Sequence, residues 1–420
     1  MSTICAPSTP AGGAIGIIRI SGPQSVAIVN QIFSRDILHV KGYTMLFGTI
    51  SDIDEVIVSI CRNPHSYTGE DTVEISHHGS PYIQQALLNL LISKGCLMAQ
   101  PGEFTQRAFL NGKMDLSQAE AVADLIASTN AASHHVAMQQ MRGGISSKLS
   151  TLRSQLLEMT SLLELELDFS EEDVEFADRK KLIQLAQQIE QEISHLSTSF
   201  RDGNAIKNGI SVAIIGAPNV GKSTLLNQFL QEDRAIVSSI QGTTRDVIED
   251  TITIQGTLFR FIDTAGIRST DDTIEQMGIE RSIKAAEKAQ IIILMREPGV
   301  DYPDISIRED QSIIRITNKT DEFQALTGKG LDALHTQLLA AAPHLPEDAV
   351  LVTNVRHKQA LDAALVDIQR SLQSLKLNLS GDLIAEDLRQ CIHHLGEITG
   401  GSISTDEVLG NIFKNFCIGK

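Results

Sequence analysis

The stretch SVAIIGAPNVGKSTLLNQFL, which begins at Ser211, limits the possible folds of this chain more than any other segment. It reads as a buried strand, a glycine-rich loop and the start of a helix. Gly216 to Ser223 fits G-x-x-x-x-G-K-S in the strand–loop–helix context that this pattern requires. Gly216 and Gly221 allow the backbone to wrap closely around an anion, and the N–H groups at the helix start favour negative charge. Lys222 adds a point charge for the β- and γ-phosphates, and the Ser223 hydroxyl is a candidate Mg²⁺ ligand. Asn219, Val220, Gly221, Lys222, Ser223 and Thr224 are therefore candidate nucleotide contacts.

Two further motifs follow in order, each after an apolar strand. FRFIDTAGIR ends a strand in Asp263-Thr264-Ala265-Gly266, where Asp263 would hold Mg²⁺ through water and the Gly266 N–H would sense a γ-phosphate. IIRITNKTD ends another in Asn318, Lys319 and Asp321. A carboxylate at Asp321 accepts both N–H groups of a guanine edge, a pair that adenine does not offer, so the expected nucleotide is GTP. Between the glycine-rich loop and DTAG, IQGTTRD supplies Thr244 as the switch threonine, its hydroxyl on Mg²⁺. Ile267 occupies the position after DxxG where many GTPases keep a water-orienting glutamine, so another group must orient water. Asn219 offers a side-chain oxygen that would suit a monovalent cation beside the phosphates.

Composition narrows the class of protein. A chain of 420 residues suggests several domains, on a prior of ~150 residues each. No apolar run reaches the ~18 residues of a membrane span, and the N-terminus lacks the features of a secretory signal. The five cysteines are scattered without a CxxC pair, which argues against a disulfide framework or zinc site and favours a reducing cytoplasm. A formal charge of -17 gives no global basic footprint for nucleic acid, so RNA contact would need a local patch or a partner. With 4% aromatic residues, no stacking platform is visible.

The first ~110 residues alternate short strand-like runs with Gly/Pro turns, which suggests an α+β domain. Helical patterns follow, with a capping box expected at Ser117 and Glu120 and helices over about 146–167 and 178–200. From Ser211 to about 343 the pattern is α/β, punctuated by Pro343 and Pro346. Beyond 356 it is helical again, with a second capping box expected at Ser404 and Glu407. The expected architecture is multi-domain α+β and α/β. Residues 1–112 form an N-terminal domain, 113–205 and 346–420 a discontinuous helical domain, and 206–345 an inserted P-loop GTPase domain.

GAPNVGKSTLLN, the DxxG followed by an apolar residue, GTTRD and the terminal FCIGK together resemble the tRNA-modification GTPase family MnmE (TrmE). APSTPAGGAIGIIRISG, SYTGEDTVEISHHGS, PGEFTQRAFLNGKMDLSQAEAVADLI and TNVRH extend the resemblance over the whole chain. The resemblance implies a folate-binding N-terminal domain that forms a homodimer. It implies a heterotetramer with the FAD-dependent partner MnmG, acting on tRNA. The product would carry an aminomethyl or carboxymethylaminomethyl group on C5 of the wobble uridine. The one-carbon unit would come from 5-formyl- or 5,10-methylene-tetrahydrofolate. The resemblance further implies K⁺ at Asn219, Ser238, Ile240 and Thr243, taking the electrostatic role of an arginine finger. Glu275 in GIER-containing TIEQMGIERS would orient the water, and Lys222 and Thr244 would complete the catalytic set. Folate would meet Arg19, Glu74, Lys113 and Lys420. The Cys417 thiol could act as a nucleophile or be a small packed residue, and a supporting role is favoured over covalent catalysis. The rival class is a ribosome-assembly GTPase switch, which would be expected to carry a basic or KH-like appendage that is not visible here.

One departure concerns the guanine side. Only Glu322 and Phe323 separate NKTD from Gln324-Ala325-Leu326, the counterpart of the family's usual S-A-x loop. A typical G domain has a helix and a strand in this interval. The last strand and helix are therefore expected to be missing or rudimentary, with weakened GTP binding.

Overall fold

The computed structural model describes residues 2–168, 178–233, 250–262, 284–343, 349–401, 406–414, 416, 417 and 419. The chain forms two compact units. One comprises Met1–Ile126, Gln140–Ile189 and Ala363–Lys420, the other Ala127–Gln139 and Glu190–Asp362. Among the described residues no helix is long and apolar enough to cross a membrane.

The first unit opens with a six-stranded sheet. Its strands are β1 (Ile4–Pro7), β2 (Ile15–Ser21), β3 (Thr44–Ile50), β4 (Asp54–Cys61), β5 (Thr72–His78) and β6 (Leu97–Met98), in the order β3-β4-β5-β2-β1-β6. Pairing is antiparallel except between β1 and β6. Side chains alternate across a strand, so Ile18 and Ile20 of β2 and Val73 and Ile75 of β5 enter the core. Helices α1 (Ser25–Asn30) and α2 (Pro81–Ser93) pack on that core side. The same alternation sends Arg19 and Glu74 to the opposite face, where the register makes them direct cross-strand partners.

Helices α3 (Glu103–Leu110) and α4 (Leu116–Ala127) follow, then α5 (Ala131–Met141), α6 (Gly144–Asp168) and α7 (Arg179–Asn208). The cap of α4 differs from the sequence expectation. Asp115 Oδ1 accepts the Gln118 N–H at 2.9 Å, and Gln118 Oε1 accepts the Asp115 N–H at 3.0 Å. The capping box is thus Asp115/Gln118, two residues before the expected Ser117/Glu120. Ser117 is buried inside the helix and donates to Asp115. The carboxylate wins because the chain already turns at Asp115, where the orphan N–H groups begin.

The second unit holds a five-stranded sheet of described residues. Its strands are β7 (Ile210–Gly216), β8 (Asp250–Ile254), β9 (Thr257–Phe261), β10 (Ile291–Arg296) and β11 (Ser312–Thr317), in the order β11-β10-β7-β9-β8. β7, β9, β10 and β11 run parallel, and β8 pairs antiparallel at the edge. A strand covered on both faces needs an unbroken apolar run, which ISVAIIG and IIILM provide. One face packs against α8 (Lys222–Asp233) and α9 (Leu331–Ala341) through Leu225, Phe229, Leu334 and Leu338. The other face packs Ala213, Ile215 and Leu294 against Ala285, Ala286, Tyr302 and Ile305.

The shortened guanine side has two components. The connection 297–311 between the parallel strands β10 and β11 contains no helix, although crossovers of this length usually carry one. Tyr302 and Ile305 from that segment cover the sheet instead, and the Arg296 guanidinium lies 4.4 Å from the Tyr302 ring centroid. After Asp321 no further strand joins the sheet among the described residues, and a Gln324–Lys329 bridge only closes a turn on itself. The final helix, however, is not rudimentary. α9 runs for 11 residues, because Leu331, Leu334 and Leu338 still have the core to fill.

The C-terminal helices are α10 (Val355–Lys376), α11 (Gly381–Thr399) and α12 (Asp406–Phe413). α11 lies along α6, and α12 packs on α3. Ser404 of the second expected capping box lies outside the described residues.

Candidate functional site

Two clusters gather the candidate residues, one in each unit. In the second unit, β7 delivers the chain to the loop at Gly216 and α8 leaves it at Lys222. Both loop glycines are dictated by crowding. A Cβ at Gly216 would lie 2.6 Å from the Met295 carbonyl oxygen. One at Gly221, where φ is +101°, would lie 2.4 Å from Asn318 Nδ2. Asn219 also has positive φ, 63°, and is exposed on the loop. Val220 is buried beneath it, while Ser223 is exposed at the helix start and Thr224 half-buried. Lys222 Nζ donates to the carbonyls of Gly216 at 2.7 Å and Ala217 at 2.9 Å. Burial holds its ammonium below the ordinary lysine value.

The N-K-x-D segment joins this loop physically. Asn318 is only 4% exposed. Its Nδ2 donates to Val220 O at 2.7 Å, and its Oδ1 accepts the Ala325 N–H at 2.9 Å. Lys319 is left-handed, with φ 61°, and pairs with Glu297 at the end of β10. The Asp321 side chain is exposed. The expected residues Ser238, Ile240, Thr243, Thr244, Asp263, Thr264, Ala265, Gly266 and Glu275 lie outside the described residues. Asn219 and Ser223 suit K⁺ and Mg²⁺ by donor chemistry, as an exposed amide oxygen and an exposed hydroxyl at a helix start. Among the described residues no cluster of three or more His, Cys, Asp or Glu side chains would hold a metal.

In the first unit, Arg19 Nε donates to Glu74 Oε1 at 2.8 Å, and Arg19 Nη1 to the Gly419 carbonyl at 3.1 Å. Ser8 Oγ donates to the same carbonyl at 3.2 Å. A Cβ at Gly419, where φ is +94°, would fall 2.2 Å from Pro7 O, so only glycine brings the tail this close. The tail is also held at α3. Gly102 N–H donates to Cys417 O at 3.3 Å, and a Cβ at Gly102 would meet Phe413 O and Phe416 Cβ, each at 2.8 Å. Cys417 is exposed, and Lys420 lies outside the described residues. Lys113 Nζ donates to Pro64 O at 3.0 Å, and its stem packs beside Gly69.

Aromatic groups that sequence reading passed over line this cluster. The Arg19 guanidinium lies 5.3 Å from the Tyr67 ring centroid and 5.8 Å from that of Phe104. Burial raises the Tyr67 phenol above its ordinary value. Cys61, at the end of β4, also joins the cluster. Burial and the Glu74 charge push its thiol up, against the opposing pull of Arg19. Behind Arg19, Arg107 is buried and donates to Glu70 and Glu103, while Ser21 donates to Glu70 at 2.8 Å. The signal for Tyr67 and Arg107 was present in SYTGED and EFTQRAF, but nothing local in those runs shows what they pack against.

These two clusters define a chain with a phosphate-loop α/β sheet and a polar side-chain cluster on a six-stranded sheet. The profile described as GTP-binding protein TrmE N-terminus matches residues 3–113, and that of the MnmE helical domain matches residues 116–417. The tRNA modification GTPase MnmE of Parabacteroides distasonis is 54% identical over 462 aligned positions, covering 100% of both chains. Those of Bacteroides fragilis and Flavobacterium johnsoniae are 52% and 49% identical, over 100% of this chain and 99% of theirs. The chain belongs to the MnmE family. An alignment of 462 positions against a chain of 420 residues means that relatives carry segments absent here.

Proposed function

We propose that the chain is a GTP-hydrolysing tRNA-modification enzyme built on an N-terminal folate domain, a discontinuous helical domain and an inserted P-loop GTPase domain. The observation that carries the GTPase half is the hydrogen-bonded link from Asn318 to Val220. It holds the guanine-reading segment against the phosphate loop before any ligand arrives. Lys222 and the loop N–H groups bind the phosphates, and Asp321 and Asn318 read guanine. Glu275 orients the attacking water. Mg²⁺ at Ser223 and Thr244, and K⁺ at Asn219, Ser238, Ile240 and Thr243, supply the positive charge that phosphoryl transfer needs.

The second half of the proposal is a one-carbon donor pocket formed by Arg19, Glu74, Lys113 and Lys420. The Arg19–Glu74–Gly419 cluster supports it, with Tyr67 and Phe104 offering ring faces to a planar heterocycle. Homodimerisation is supported by Met45, Phe47 and Ile57, which β3 and β4 leave exposed. With an FAD-dependent partner, MnmG, the enzyme places an aminomethyl or carboxymethylaminomethyl group on C5 of the wobble uridine in cytoplasmic tRNA.

Nucleoside analysis of tRNA from cells lacking the protein tests the whole reading, with loss of the modified wobble uridine expected. Unchanged tRNA refutes it. GTP turnover in K⁺ against Na⁺ tests the ion assignment; it should rise several-fold in K⁺, and equal rates would remove Asn219 as an ion ligand.

A further inference from the structure

The guanine loop has lost the strand from which it would ordinarily hang, so something else must hold it. Residues 320–330 form a compact turn. Phe323 N–H donates to Thr320 Oγ1 at 3.1 Å, and Gln324 N–H donates to Lys329 O at 3.0 Å. A Cβ at Gly330 would lie 2.6 Å from Glu322 O, so the turn is as tight as the backbone allows. These contacts are internal and do not fix the turn to the rest of the sheet.

Two side chains do. Asn318 binds Ala325 from above the β11 end. Gln228, two turns into α8, reaches across and donates from Nε2 to Leu326 O at 3.2 Å. Its Oε1 lies against the same turn, 3.9 Å from where a Cβ of Gly328 would stand. The result is a closed circuit that runs from the phosphate loop down α8 to Gln228, across to Leu326, through Ala325 to Asn318, and back to Val220. Leu326 itself is 79% exposed, so its side chain contributes no packing that could replace the tie.

We propose that Gln228 is a positioning residue for guanine recognition, holding the 324–326 loop where the missing strand would have held it. This inference rests on the GTP reading above. Without Gln228 the Leu326 end of the loop, beyond the buried Phe323 and Ala325, loses its polar tie to α8. Asn318 then samples orientations in which it and Asp321 no longer meet the base together. The phosphate contacts, which arise from the loop before α8, are unaffected. The cost therefore falls on base discrimination and not on phosphate binding.

The test compares GDP and ADP affinities of the full chain by fluorescent-nucleotide competition. Gln228→Leu keeps the volume and removes the donor. GDP binding should weaken by about three- to tenfold, the worth of one hydrogen bond, while ADP binding stays constant, so the GDP/ADP preference falls by the same factor. Gln228→Lys, which restores a donor of similar reach, should recover most of it. The KM for GTP should rise in Gln228→Leu with kcat at saturation retained. An equal loss for GDP and ADP would mean that Gln228 acts only through α8, and no loss for either would mean that the tie is idle. Each result overturns the proposal. Wild-type protein with no preference for GDP over ADP refutes the guanine reading itself, and this inference with it.

Discussion

Asn318 shows how much a single side chain can decide. It is buried, and both ends of its amide are used, one by Val220 O and one by the Ala325 N–H. Removing a buried amide leaves its partners desolvated and unpaired. Asn318→Ala should therefore destabilise the second unit by about 2–4 kcal/mol, measured by urea unfolding, and weaken GDP binding as well. Arg19 is a comparable case in the first unit. One guanidinium serves Glu74, the Gly419 carbonyl and two rings. A lysine has no planar fork and can serve only one of these partners. Arg19→Lys should lower binding of 5-formyltetrahydrofolate about tenfold or more, the worth of a charge-assisted hydrogen bond, in equilibrium dialysis. Both residues were legible in the sequence, Asn318 from its motif and Arg19 from the family resemblance. Gln228, Tyr67 and Gly102 were not, because what gives each its role lies far away in sequence. Gln228 meets Leu326 98 residues on, and nothing in NQFL signals it.

At the scale of elements, period and pattern placed the strands and long helices well, and their ends less well. α7 runs on to Asn208, past Gly203 and beyond the expected end near 200. That glycine is there for a neighbour, since a Cβ would lie 2.2 Å from Val352 O. The cap of α4 moved for a related reason, as two polar pairs competed and the carboxylate at the turn prevailed. Asp115→Ala should cost about 0.5–2 kcal/mol of stability in thermal unfolding. α7 and α10 are joined by Ser197 Oγ donating to Asp362 at 2.6 Å, with Lys358 also on that carboxylate. Burial raises the Asp362 pKa, but hydrogen bonds from Lys358 and Ser197 and the Lys358 charge outweigh it, leaving the group below its ordinary 3.8. A lowered folded pKa means that the contribution to stability is fully present above the unfolded value. It disappears as pH falls through the folded value. Asp362→Asn should therefore be less stable than wild type at pH 7, and the two should converge below the folded pKa. A difference that persists unchanged at the lowest pH would show that the pair contributes by shape and not by charge.

At the scale of the molecule, the ends of the chain meet. Ser8 and Arg19 both bind the Gly419 carbonyl, at sequence separations of 411 and 400. The terminal motif was legible as a motif, but its docking on β1, β2 and the start of α3 was not, since no local pattern encodes a contact of that range. The docking depends on one backbone conformation. At φ +94°, with Pro7 O only 2.2 Å from any added Cβ, Gly419 tolerates no side chain. Gly419→Ala should release the tail from Arg19 and Ser8 while leaving both sheets folded, because Gly419 belongs to neither core. If the tail forms a wall of the one-carbon pocket, this variant binds 5-formyltetrahydrofolate at least about tenfold more weakly, as expected when a left-handed position is blocked at a cost of ~1–3 kcal/mol. GTP turnover, which depends on residues of the second unit, stays at the wild-type rate. Folate binding that survives the substitution would place the pocket elsewhere on the sheet. A parallel loss of GTP turnover would show instead that the tail supports the fold of the whole chain, and the two activities would then not be separable by a change at its end.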